Sequence, residues 1–360
     1  MSRHGARATA PAPRRPLSRY PEGMATTNRQ VLLAARPSGF PKPTDFRLVE
    51  SPVPQPGAGE FLVEIAYLSV DPYMRGRMNA ARSYAEPQKL DEVMGGGAVG
   101  KVLASRHPGF AEGEFVTGMF GWQQYAISDG RGVMKVDPRL APISTSLGVL
   151  GMPGLTAWFG LLDVCAPRAG ETVVVSGAAG AVGSTAGQIA RIRGCRVVGI
   201  AGGDDKIRWI TQELGFDAAF NYKTENRYFE KLKELCPAGI DCYFDNVGGA
   251  ITDALFPLMN SGGRVAVCGQ IALYNLEKPD TGARLLPLIL VRTLKVQGFL
   301  VFQYADRFGE ALPQLARWVQ EGKLKYRETV AEGIENAVSA FLGMLRGENI
   351  GKQLVRISEP

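Results

Sequence analysis

The chain has 360 residues, of which 45% are hydrophobic and 21% charged; this is room for two ordinary domains with separate cores and excludes a disordered chain. The net charge of +6 is concentrated in a tail, where Arg3, Arg7, Arg14, Arg15 and Arg19 stand against Glu22, and the balanced remainder offers no basic stripe for nucleic acid. The cysteines (Cys165, Cys195, Cys236, Cys242 and Cys268) are odd in number with no C-x-x-C spacing, which argues against a disulfide framework and for a reducing, cytoplasmic setting.

Residues 1–23 are Arg-rich, poor in acids and lack an apolar core, so they are not a secretory signal. They read as a disordered extension or a start placed too early, with an organelle transit segment as the alternative; Met24 opens the first segment that looks folded. Residues 24–145 then alternate short apolar runs with Gly and Pro clusters. Strands are expected at Val31–Ala35, Phe61–Leu68, Gly97–Ser105, Glu114–Met119 and Gln123–Ile127, forming a closed or rolled antiparallel sheet. The apolar run around Leu285–Val291 contains Pro287 and stops at Arg292, far short of the roughly 20 residues a membrane span needs.

The pattern changes near residue 146. A helix is expected over Ser146–Leu162. Strands at Thr172–Ser176, Arg196–Ile200, Ala218–Asn221, Ile240–Asp245, Gly263–Cys268 and Leu294–Phe299 then alternate with helices at Val182–Arg193, Asp205–Leu214, Arg227–Leu235 and Ala250–Leu258. This βα alternation, with mostly apolar strands, predicts a doubly wound parallel sheet. Helices near Phe308–Glu321 and Ile334–Arg346 and strands near Arg327–Val330 and Lys352–Ile357 close the chain. The expected division is residues 24–145 with 322–360 as one domain and 146–321 as the other.

The strongest local signal follows Val173-Val174-Val175-Ser176. Gly177, Gly180 and Gly183 are spaced G-x-x-G-x-x-G, a variant of the dinucleotide fingerprint, between an expected strand and an expected helix. Such a turn lets the backbone approach a pyrophosphate, and the helix N-terminus attracts its charge. A site for NAD wants an acid at the end of the second strand; here Ala201-Gly202-Gly203 stand there, and Lys206 follows on a helix that Asp204 is expected to cap. A missing acid and a nearby Lys favour the 2′-phosphate of NADP. Only His4 and His107 are present, and no Cys or His spacing suits zinc, so no metal is expected.

Ser69-Val70-Asp71-Pro72-Tyr73-Met74-Arg75-Gly76-Arg77-Met78, Gly151-Met152-Pro153-Gly154-Leu155-Thr156-Ala157, the glycine turn, Phe244-Asp245-Asn246-Val247-Gly248-Gly249, Cys268-Gly269-Gln270-Ile271 with Tyr274-Asn275, and Glu348-Asn349-Ile350-Gly351-Lys352 together resemble the zinc-independent medium-chain dehydrogenase/reductase superfamily. Within it they resemble the prostaglandin, alkenal double-bond and curcumin reductases. Where zinc-dependent relatives carry a Cys and a Gly-His-Glu motif, this chain has Asp71-Pro72 and Gly95-Gly96-Gly97. The resemblance implies an α/β fold with a GroES-like β-rich barrel and a Rossmann domain, a homodimer, and hydride transfer from NADPH to the β-carbon of an enone or enal. It places Gly180, Ala181 and Val182, within the turn Gly177–Gly183, on the pyrophosphate. Lys206 and Tyr222 take the 2′-phosphate. Asn246, Cys268, Gly269, Phe299, Leu300, Val301 and Asn349 line the rest of the cofactor, and Met152 and Thr156 lie near the nicotinamide. Tyr274 is the candidate donor to the substrate carbonyl and Tyr73 a pocket-shaping residue. The segment Asn79–Glu92 is expected to border the substrate. The alternatives are a quinone reductase on the same fold and an NADPH-binding protein without turnover.

Overall fold

The computed structural model describes residues 26–81 and 83–359; the extension expected over residues 1–23 lies outside them. The first lobe holds β1 (Thr27–Leu33), β2 (Phe46–Pro52), β3 (Phe61–Ser69), α1 (Tyr73–Arg77), β4 (Ala98–Ser105), β5 (Phe115–Gly118), β6 (Tyr125–Ser128) and β7 (Met134–Val136). The second holds α2 (Met152–Phe159), β8 (Thr172–Ser176), α3 (Ala181–Ile192), β9 (Arg196–Ala201), α4 (Asp204–Arg208), β10 (Ala218–Asn221), α5 (Tyr228–Leu235), β11 (Ile240–Asp245), α6 (Gly249–Leu255), β12 (Met259–Val267), α7 (Leu286–Val291), β13 (Lys295–Gly298) and α8 (Phe308–Gln320). The chain closes with β14 (Glu328–Glu332), α9 (Ala337–Leu345) and β15 (Lys352–Arg356).

The first sheet runs β14-β15-β3-β4-β5-β7, with β6 also on β3, so the closing strands complete a sheet begun by the first residues. Its core stacks Trp122 on Phe46 and sets Phe341 of α9 edge-on to Trp122. The second sheet is wholly parallel, in the order β10-β9-β8-β11-β12-β13. Counted from β8, that is the 3-2-1-4-5-6 order of a dinucleotide-binding sheet. Alternate residues of its central strands face opposite sides. Val173, Val175 and Val197 join the cluster under α3 and α8, while Val174, Val198 and Ile200 join the one under α5 and α6. Burial on both faces explains their unbroken apolar runs.

Several expected elements shift. β1 begins earlier, at polar residues, because the buried Asn28 side chain binds the Tyr125 carbonyl and accepts the Tyr125 amide at 3.0 Å, so a polar residue serves a strand contact. β2, an exposed-faced strand, β7 and the short α1 carry too little periodicity to be read. The helix expected over Ser146–Leu162 breaks at Gly151, which is extended, and after α2 it loosens into a wide turn, Gly160–Cys165. Asp204 is not the cap of α4: Gly203 holds that position, and the Asp204 carboxylate accepts from the Asn221 amide at 2.9 Å.

Close packing of α3 on the sheet depends on Gly187, where an added Cβ would overlap the Phe216 ring. Phe216 is buried and cannot swing into solvent. Gly187→Ala is expected to destabilise the fold by about 1–3 kcal/mol, the usual cost of overpacking. An unchanged urea midpoint would show that α3 can lift without penalty.

Candidate active site

The site is built at the carboxyl edge of the parallel sheet, where β8 and β11 diverge and strand order reverses. After β8 the chain turns at Gly177, whose φ of 59° is left-handed and suits glycine. Gly180 caps α3 in an extended conformation, and an added Cβ at Gly183 would strike the Gly177 carbonyl. The first amides of α3, at Ala181, Val182 and Gly183, have no partner inside the helix and point out of its positive end. The turn is braced from the first lobe's return, since the Gly351 amide donates to the Ala179 carbonyl at 2.8 Å. Asn349 serves the same brace, its amide donating to the Gly351 carbonyl.

One strand away, Lys206, Tyr222 and Gly347 converge. Lys206 Nζ donates to the Gly347 carbonyl at 2.6 Å, and Lys223 Nζ to the Arg346 carbonyl at 3.3 Å. Gly202 lies against the Tyr222 ring, where an added Cβ would stand 2.7 Å from Cε1. Burial, then the charge of Lys223, holds the Lys206 ammonium below its ordinary pKa. Two neighbouring cations paired only with carbonyls are a cradle for a compact anion. The sequence reading missed Lys223 and Gly347 here: Gly347 comes from a segment distant in the chain, and an exposed Lys in a turn carries no local signal.

At the end of β11, the 1% exposed carboxylate of Asp245 is a hub the sequence reading did not single out. One oxygen accepts from Ser176, Tyr243 and the amides of Val247 and Gly248; the other accepts from Thr252 and Gln270. Asn246 amides bind the hydroxyl and carbonyl of Ser176. This network ties the turns after β8, β11 and β12 into one platform. An acid ending an apolar strand was the available signal.

Beside the platform an open cleft of about 360 Å³ is lined by Cys268, Gly269, Gln270, Tyr274, Phe299 and Leu300, among others. Phe299 reaches its place over Gly160, where an added Cβ would overlap its ring. Val301 turns instead into the core. Met152 packs against that same core, and the Thr156 hydroxyl is spent on the Met152 carbonyl at 2.7 Å. Burial and nearby Asp245 push the Cys268 thiol up to about 12, which keeps it a weak nucleophile. The Tyr274 phenol is raised by burial and accepts from the Gln270 amide at 3.4 Å, leaving its own proton free to donate.

Tyr73 stands on the facing lobe and does not line this cleft. Its phenol is raised, first by burial and then by Asp71, and it also feels Arg77 and Tyr84. Tyr84, within the segment expected to border the substrate, is raised by burial and then by Tyr274; it was not named as a site residue. Asp71 is engaged by Lys352 Nζ at 3.0 Å and by the Ser69 hydroxyl. Among the described residues no three His, Cys, Asp or Glu side chains converge as a metal donor set.

Residues 29–136 match the family described as the N-terminal domain of oxidoreductase, and residues 181–319 the family described as zinc-binding dehydrogenase. A Bacillus subtilis protein provisionally named an NADP-dependent oxidoreductase is 50% identical over 94% of this chain and 100% of its own. The NADPH-dependent curcumin reductase of Escherichia coli is 46% identical over 92% of this chain and 97% of its own. The crystal structure of CurA from Vibrio vulnificus in complex with NADPH superposes with a TM-score of 0.89 at 46% identity, covering 92% of this chain and 100% of that one. Sheet order, glycine turn and these likenesses along nearly the whole chain establish that it belongs to the medium-chain dehydrogenase/reductase superfamily, folded as a GroES-like domain and a Rossmann domain.

Proposed function

We propose that the chain is an NADPH-dependent reductase of the carbon–carbon double bond of α,β-unsaturated ketones and aldehydes. The observation that carries this reading is the Tyr274 phenol, protonated by virtue of its burial and with its proton unspent, at the edge of a cleft on the carboxyl side of a dinucleotide-type sheet. The glycine turn and the first amides of α3 suit a pyrophosphate, and the Lys206, Lys223 and Tyr222 cradle suits a 2′-phosphate. When bound, NADPH supplies a hydride to the β-carbon. Charge then grows on the carbonyl oxygen, and Tyr274 meets it with a hydrogen bond that is stronger in the transition state than in the ground state; a proton taken up from solvent completes the saturated product at the α-carbon. The likeness to a curcumin reductase supports the same substrate class.

The test is NADPH oxidation, followed by absorbance, against enals, enones and quinones. Turnover of enals or enones to saturated carbonyls supports the reading. Turnover of quinones alone replaces it with a quinone reductase. Tight NADPH binding with no turnover anywhere leaves a binding protein.

Homodimerisation and a cytoplasmic setting belong to the same proposal. β13 ends the parallel sheet, and beside it α7 exposes Leu286 and Leu290, each 77% exposed, and Val291 at 75%. An open edge next to an apolar patch suits pairing with a second copy. Leu290→Asp is expected to yield a monomer in light scattering at micromolar concentration; a wild-type chain that is already monomeric would sink this part. The cysteines are free and buried or half-buried, and among the described residues no helix is long and apolar enough to cross a membrane.

A further inference from the structure

Arg75, on α1, is 2% exposed. Taking a guanidinium out of water is costly unless its charge is offset. Its hydrogen bonds nevertheless go to neutral oxygens: Nε–H donates to Asn275 Oδ1 at 3.0 Å, Nη1 to Asn79 Oδ1 at 2.7 Å and Nη2 to the Gly39 carbonyl at 2.8 Å. Asp45, the acid whose charge reaches it, spends an oxygen on the Lys42 amide at 2.7 Å. Two of the three acceptors lie in the first lobe. The third, Asn275, directly follows Tyr274 in the second. The same two segments meet again at Gly39, where an added Cβ would stand 2.8 Å from Glu277 Oε1.

We propose that Arg75 is a positioning residue that pins the Tyr274 turn to the first lobe and so sets the Tyr274 phenol relative to the wall bearing Tyr73. The proposal rests on the reading of Tyr274 given above. A planar guanidinium bonded along fixed directions to Asn79 of its own segment and to Gly39 and Asn275 of two others holds them in one geometry, which a lysine cannot reproduce. The retained cost of burying the charge is then the cost of that geometry. The turn itself is short and partly exposed, and the Arg75–Asn275 bond is a buried-cation link from it to the opposite lobe.

Replacing Arg75 would leave the buried Gly39 carbonyl without its donor and disturb the first lobe, so the test is placed on Asn275. Asn275→Ala is expected to lower kcat for a medium-chain 2-enal by about 10-fold, since a misplacement of about 1 Å can cost 10²-fold, while NADPH affinity holds. Asn275→Asp, which keeps an acceptor facing Arg75, is expected to restore most of the rate. In a Tyr274→Phe background, Asn275→Ala is expected to cost less than about 2-fold, because residues acting through one group are not additive. An equal loss in both backgrounds overturns the proposal. A readout independent of turnover is the fluorine resonance of 3-fluorotyrosine placed at position 274. It is expected to move or broaden in Asn275→Ala and not in Asn275→Asp; a resonance unmoved by Asn275→Ala overturns the positioning role. A resonance that moves while Tyr274→Phe leaves turnover intact upholds the positioning by Arg75 and sinks Tyr274 as the carbonyl donor.

Discussion

Tyr274→Phe is expected to lower kcat with enones by about 10²-fold, the usual cost of losing one donor aimed at a developing oxyanion. The ring, its packing and the cleft wall are retained, so NADPH affinity is expected to change little. Only the phenolic proton goes, and in the structure that proton has no other partner. Burial holds the phenol above its ordinary pKa, so the donor is present through the neutral range, and the rate is expected to show no loss from this group until well into alkaline pH. Steady-state kinetics at saturating NADPH measure the effect. A kcat within about 3-fold of wild type, well below the typical cost of one such donor, would mean that the carbonyl is held elsewhere.

Lys206→Ala is expected to weaken NADPH binding by about 10- to 100-fold, because a hydrogen bond to a charged group is worth roughly 1.5–3 kcal/mol. NADH binding is expected to stay as it was, since the cradle of Lys206, Lys223 and Tyr222 would touch only the 2′-phosphate. Titration calorimetry with both nucleotides separates the two. Equal weakening of both would place Lys206 in the fold rather than at the phosphate. The pH dependence has a definite sign. The folded-state pKa of Lys206 is lowered by burial and then by Lys223, so its positive charge is present below that pKa and is lost as pH rises through it. Preference for NADPH over NADH is therefore expected to fade on the alkaline side earlier than for an ordinary lysine, with proton uptake on binding in that range.

Much of the second lobe was legible because its central strands, β8, β9 and β11, are buried on both faces. β8 and β11 are where the apolar runs placed them, and the glycine turn sits between β8 and α3 because its chemistry is local: a left-handed Gly177, and a Gly183 with no room for a side chain. The first lobe was less legible. Its strands are short and its polar residues do structural work, as Asn28 does in completing the bonds of Tyr125. The Tyr274 assignment came from resemblance, and the cleft, the free phenolic proton and the tether by Arg75 came from the fold.

The sequence by itself determined the class of the sheet, the place of the glycine turn and the small residues, with no acid, at the end of the second strand, because each depends on residues close together in the chain. Only the tertiary structure decided which distant residues share a site. Gly347 beside Lys206, Asp245 beneath Gln270 and Arg75 beside Asn275 are contacts between segments far apart in the chain. Such contacts are made by packing two lobes and closing a sheet, and no local pattern of residue types encodes them.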